Sequence, residues 1–305
     1  DTVKIEDKQL GRTIATAEEV EETLEMTVGC AYRKIIKPHK NIKIIFFENG
    51  HLIGAAVILI IISCPGREDI TILHTGDYKD KNLFFDVDAI PENIKNMKIS
   101  SFVTESTYGN VDSTNSKFDE CLVENTVWAI KRGMTVLYPT FALGRHQEVL
   151  YKIKQIKEKE LIPKETLVVV DGKASQIYNT RFQYSDLGIK LEMKKFMPKY
   201  CKCIPRDLTK KFVRNEIIKN NDPKIIVAPG GMCDYGAASV YTKKFISDPN
   251  VMIHGVGYAA PNSVMYKLLN TLQGETVSCY GDAYIKKCMT KITAEVTSHG
   301  PRDIL

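Results

Sequence analysis

Apolar positions along this chain follow two rhythms. Between residues 41 and 104 they form short runs that read as strands, at 42–47, 55–62, 70–75 and 99–104, with Cys64-Pro65-Gly66-Arg67 as a turn between two of them. From about residue 110 the runs alternate with helical spacing. A strand at 134–138 leads to a helix at 144–153, 166–170 to 174–182, 224–228 to 237–246, and 251–256 to 263–269. That βαβα order predicts a parallel sheet with helices on both faces. The lysine-rich stretch 184–222 interrupts the order and yields no clear element. Near the start, Thr16-Ala17-Glu18-Glu19 is a capping box that predicts a helix with Val20, Leu24 and Val28 on one face. The longest apolar run, 55–62, falls well short of the ~20 residues needed to span a bilayer. It reads as a buried strand, and no membrane association is expected.

At 305 residues the chain can bury a large core and is expected to hold two domains. A formal net charge of +5 is compatible with a polyanionic partner without requiring one. The eight cysteines are scattered, mostly in apolar stretches, which points to buried free thiols and a reducing, cytoplasmic setting. Cys201-Lys202-Cys203 is the one close-set pair, and a single intervening residue is not a zinc-knuckle spacing. The chain opens on Asp1, so a preceding segment is expected to be missing.

The candidate chemistry sits where strands end. Gly50-His51-Leu52 follows the strand at 42–47, Thr75-Gly76-Asp77-Tyr78 ends the strand at 70–75, and Thr104-Glu105-Ser106 ends the strand at 99–104. Three such ends on one sheet edge would gather an imidazole and two carboxylates, and open α/β sheets place their sites there. Each has a plain alternative: a structural histidine, a turn aspartate, a carboxylate held by local donors. Glu105 is hardest to dismiss, because a carboxylate after a buried strand needs a cation or donors. Pro139-Thr140-Phe141-Ala142-Leu143-Gly144-Arg145 is a strand-to-helix turn in which Gly144 allows a tight backbone and Arg145 lies in the first helical turn, a good place to hold phosphate. Asp171-Gly172-Lys173, Pro229-Gly230-Gly231 and the turn from Gly257 to Ser263 occupy the same relative position, so Gly144, Arg145, Gly231 and Ser263 are candidate phosphate contacts. None is a Walker loop or a Gly-x-Gly-x-x-Gly fingerprint, which disfavours a nucleotide cofactor. Near the end, Thr297-Ser298-His299-Gly300-Pro301 places His299 just before an expected helix start, a suitable position for a catalytic imidazole. His39, His74, His146 and His254 have no evident partner.

In order and chemistry these segments resemble the motifs of the metallo-β-lactamase-fold nucleases of the β-CASP group. The resemblance covers essentially the whole chain. It implies an α/β fold, a metallo-β-lactamase αββα sandwich with an inserted parallel-sheet β-CASP domain. Residues 1–109 would belong to the first domain, 110–292 to the insert, and 293–305 to the start of the return. His51 resembles the histidine of the third metal motif, Asp77 the metal-bridging aspartate of the fourth, Glu105 the acidic motif A and His299 the histidine of motif B. Gly144-Arg145-His146-Gln147-Glu148 matches the Gly-Arg-x-Gln-Glu element. Pro301 replaces the Asp of motif B, and Pro229-Gly230-Gly231-Met232 and Ala260-Pro261-Asn262-Ser263 depart from the common Ser-Gly-Met and Glu-Gly-Thr. The His-x-His-x-Asp-His cluster does not occur in the chain, nor does the histidine of motif C, and truncation at both ends is the expected reason. The implied activity is phosphodiester hydrolysis of RNA, most readily single-stranded, with two zinc ions in the full-length protein. His299, oriented by Glu105, would serve as general acid. This chain by itself is expected to hold zinc poorly and to be inactive. The competing reading is a catalytically inactive RNA-binding scaffold of the same fold; a hydrolase for a small ester or thioester fits the inserted domain less well. A homodimer is compatible with either.

Overall fold

The computed structural model describes residues 15–110, 118–184, 188–293 and 299–300. Two sheets organise the α/β fold. The first has five strands in sequential order: β1 (Ile35–His39), β2 (Ile42–Glu48), β3 (Ala56–Ile62), β4 (Ile70–His74) and β5 (Ser101–Val103). β1 to β4 form an antiparallel meander, and β5 joins β4 in parallel. Its core face carries Phe47, Val57 and Leu59, with Ile94 from the short helix α2 (Glu92–Lys95) packed on them. The helix predicted by the Thr16 capping box forms as α1 (Ala17–Glu25). Both reciprocal bonds of the box are present, and the helix buries none of its residues.

The second sheet has six parallel strands in the order β13-β10-β6-β9-β7-β8. They are β6 (Thr135–Thr140), β7 (Leu167–Val170), β8 (Cys201–Cys203), β9 (Lys224–Pro229), β10 (Val251–Gly255) and β13 (Met289–Ile292). Helices α3 (Phe118–Lys131), α4 (Arg145–Glu158), α5 (Lys173–Tyr184), α6 (Lys210–Lys219), α7 (Gly236–Phe245) and α8 (Val264–Leu269) connect them, with a hairpin of β11 (Thr276–Cys279) and β12 (Asp282–Ile285) before β13. Every residue of β6 and of β10 is buried, as expected of a parallel sheet covered on both faces. One apolar cluster fills each side of this sheet.

Two expectations change. The stretch 184–222 does hold structure, namely a 3₁₀ turn at Met193–Lys195, β8 and α6, whose lysine-rich outer faces mask the pattern. The strand expected at 99–104 shrinks to three exposed residues at a sheet edge. Hydrophobic side chains there mark an edge, not a buried strand.

The sheets are joined by a plug. Phe84, in the loop after β4, is 2% exposed and packs edge-on against Phe182 and Phe196 of the larger core, at ring-centroid separations of 5.1 and 5.8 Å. Its neighbour Phe85 makes a bridge to Ile189, and the Lys190 amide donates to the Phe84 carbonyl at 2.8 Å. Three buried lysines satisfy backbone carbonyls; Lys286 Nζ, for example, donates to Leu268 in the last turn of α8 and to Thr271 just past it. No helix among the described residues is long and apolar enough to cross a membrane.

Candidate active site

β2 and β4 flank β3 and run out at the same end of the sheet, where Asn49 ties the two segments together. It is 1% exposed, and its Nδ2 donates to the carbonyls of Thr75 (3.0 Å) and Asp77 (2.9 Å). Its Oδ1 accepts the His51 amide at 3.1 Å. Gly50 fits the same joint: its amide donates to the Lys79 carbonyl at 2.7 Å, and a Cβ there would lie 2.5 Å from that oxygen. This packing brings His51 Nε2 to 3.6 Å from Asp77 Oδ2, with the His51 side chain 14% exposed and that of Asp77 59%.

Glu105, beyond β5, faces the same place. Although its strand is exposed, the carboxylate is 8% exposed and accepts the Tyr78 amide (2.7 Å), the Thr107 amide (3.2 Å) and His299 Nδ1 (2.9 and 3.0 Å to its two oxygens). Burial acts to raise its pKa, but hydrogen bonds from Thr107, Tyr78 and His299 outweigh burial and hold it below the ordinary carboxylate range. An ionised Glu105 can only accept, so Nδ1 of His299 is the donor of this pair. The His299 ring lies 4.6 Å from that of His51 and 5.9 Å from that of Tyr108, centroid to centroid. The Gly300 amide donates to the Tyr78 carbonyl, which anchors this segment. Thr297, Ser298 and Pro301 to Asp303 lie outside the described residues.

His51, Asp77 and His299 therefore form a group whose ligand-capable atoms all lie within 4.8 Å of one another. Two imidazoles and a carboxylate are donor types suited to a divalent transition metal. The group opens onto a cleft of about 970 Å³ lined from both sheets: by Asn82 and Phe85 on one side, and by Phe141, Arg145, Tyr178 and Tyr258 on the other.

The four residues expected to hold phosphate part company here. Gly144 and Arg145 line the cleft, whereas Gly231 and Ser263 do not. Ser263 is 7% exposed and caps α8, its hydroxyl accepting the Tyr266 amide at 3.2 Å. Gly231 lies behind Phe141. The amide of Gly144 (φ +78°) is engaged by Gln147 Oε1 at 2.7 Å, and the Arg145 guanidinium pairs with Glu148 one turn along α4. The helix start expected to grip phosphate is thus closed by its own side chains.

Asn49 and Asn82 are the site residues that the sequence did not reveal; Asn82 Nδ2 donates to the Gly50 carbonyl at 2.9 Å. The one signal was an Asn-Gly pair directly before His51. The remaining histidines acquire structural partners. His39 and His74 accept nearby amides, His146 faces Thr140 at 3.0 Å, and His254 faces Thr293 at 2.7 Å.

A family model described as Beta-Casp domain matches residues 146–268. Over 257 residues the chain is 31% identical to transcription termination factor FttA of Methanosarcina mazei, a match covering 80% of this chain and 38% of that protein. An RNase J-like protein of Methanocaldococcus jannaschii is 25% identical over 313 residues, covering 93% of this chain and 70% of its own length. Endoribonuclease ysh1 of Aspergillus fumigatus is 38% identical over 112 residues, 36% of this chain and 12% of that protein. The chain spans 38% of the length of the FttA proteins it matches.

Proposed function

Since the chain belongs to the metallo-β-lactamase-fold β-CASP family, a family that implies a metal cofactor, we propose that it carries part of the active site of a zinc-dependent ribonuclease acting on single-stranded RNA. The observation behind this reading is the His51–Asp77–His299 group at the lip of the cleft, with Glu105 buried behind His299. The names of its relatives, a termination factor, an RNase J-like protein and an endoribonuclease, favour RNA as the substrate.

His51 and Asp77 would hold the metal, which when bound supplies Lewis-acid activation of water and of the scissile phosphate. Asp77, the exposed member, faces the cleft, while Asn49 keeps its loop in register with His51. Glu105 accepts from His299 Nδ1 and favours the imidazolium, whose Nε2–H would pass its proton to the leaving oxygen. Two ions need further donors, and among the described residues this is the one group of three or more that could hold a metal. We place the boundary between the domains near residue 110, between the last strand of the first sheet and α3.

Zinc titration together with cleavage of an end-labelled single-stranded RNA tests the reading, on a protein that carries the further metal donors together with this chain. Asp77→Asn is expected to lower zinc occupancy and cleavage together, by about 100-fold or more. His299→Ala should lower cleavage by about 100- to 10,000-fold with a smaller loss of zinc. Equal loss of zinc in both variants would make His299 a metal ligand and remove it as general acid. Zinc binding without cleavage in any background would favour the inactive scaffold.

A further inference from the structure

The cleft onto which the metal-capable group opens is lined by aromatic rings from the larger sheet's side. Phe141, Tyr178 and Tyr258 line it with relative exposures of 48, 37 and 59%. The polar groups at the neighbouring strand ends are already committed: the Gly144 amide to Gln147, Arg145 to Glu148, and the Ser263 hydroxyl to the Tyr266 amide. Asp171, at the end of β7, is held by Arg214 at 2.5 and 2.8 Å and by the Tyr241 hydroxyl at 3.0 Å.

Phe141 has a seat built for it. A Cβ added to Gly231 or to Gly257 would lie 3.6 or 3.5 Å from its Cε2, so the ring rests over two turns that present no side chain. The Cε2 edge of the ring lies close to these two turns while the side chain stays half exposed in the cleft. A flat, half-exposed ring beside a polar reaction centre has the form of a stacking surface.

We propose that Phe141 is a base-stacking platform that holds one unpaired base of the RNA next to the His51–Asp77–His299 group, and that this wall grips the substrate through bases rather than phosphates. This rests on the RNA reading above. The occupant is a base because every base offers a π-face to such a ring whatever its identity, and because the cleft is continuous with the proposed phosphodiester-cleaving group. A base inside a duplex has both faces covered, which makes the platform a selector for single strands.

The test compares fluorescence-anisotropy affinities for a labelled eight-residue oligo(A) RNA and for an abasic ribose-phosphate of equal length. The wild-type chain should prefer oligo(A) by about tenfold or more. Phe141→Ala and Phe141→Leu should bring oligo(A) down to the abasic level and leave abasic binding unchanged. Phe141→Trp should keep the preference. The leucine fills the seat without a π-face, so it decides the matter should the alanine variant have a lowered melting temperature. Undiminished preference in the leucine variant overturns the platform. Equal binding of both probes by the wild type also overturns it, yet leaves RNA as the ligand. Binding of neither probe removes the RNA reading and the platform with it.

Discussion

In the larger sheet every residue of β6 and β10 is buried, whereas in β2 and β3 only Phe47, Val57 and Leu59 are. Helices cover both faces of the parallel sheet. The five-stranded sheet is covered on the face that carries Leu59, while Ile44, Phe46, Ile58, Ile60 and Ile72 on the other face remain half-buried. Yet the smaller and less covered sheet presents His51, Asp77 and Glu105 at its strand ends. The larger one contributes the aromatic wall of the cleft. Rigidity and chemistry thus reside largely in different layers, held together by the loop that carries Phe84.

The contrast within the smaller sheet can be broken by substitution. Leu59→Ala should cost about 2–5 kcal/mol, since it empties a fully buried position, while Ile60→Ala on the opposite face should cost about 1 kcal/mol. Urea denaturation of the two variants checks this, and equal losses would mean that both faces are packed alike.

Acid should act on the larger sheet through two buried histidines. Burial depresses His146 to about 3, with Asp171 opposing, and His254 to about 4, with Lys291 assisting, both from an ordinary value of 6.5. Each is neutral in the fold and more readily protonated once unfolded. Their contribution is therefore complete above pH 6.5 and declines as pH falls from there towards 4 and below. At pH 5 the loss should be about 2 kcal/mol per histidine, seen as a lower urea midpoint than at pH 7.5. His254→Gln should flatten roughly half of that dependence; a midpoint equally steep in this variant would assign the acid sensitivity elsewhere.

A further expected effect concerns Arg145. Because it pairs with Glu148, with side chains only 8 and 16% exposed, Arg145→Ala should lower stability by about 1–3 kcal/mol. It should leave the salt dependence of RNA binding unchanged. A slope reduced by about one unit, with an unaltered melting temperature, would restore the phosphate contact expected from its place after Gly144.

The parallel sheet was legible because strands buried on both faces read as unbroken apolar runs at 134–138, 224–228 and 251–256. Their observed bounds, Thr135–Thr140, Lys224–Pro229 and Val251–Gly255, lie within two residues of these. His51, Asp77 and Glu105 were legible as strand-end chemistry and His299 as an imidazole before an expected helix start, and the structure brings all four together. Asn49 was not, since its partners Thr75 and Asp77 lie 26 and 28 positions away and one asparagine carries no periodicity. Nor could composition tell that the Gly144 amide meets Gln147 or that Ser263 is a cap, because a turn rich in glycine looks the same whether its donors face a ligand or the protein. The misjudged strand at 99–104 shows the same limit: apolar side chains signal strand, but an edge and a centre share that signal.

Phe84 also bears on how a substrate gets in. The segment that places this ring in the larger core lines the floor of the cleft as well. Swinging the two sheets apart would pull the ring from its contacts with Phe182 and Phe196, at a cost of about 3–5 kcal/mol by analogy with its truncation. A widened form would then occupy below about 1% of molecules. Under the proposed ribonuclease reading, the expectation is that RNA enters a cleft held at one width by this ring.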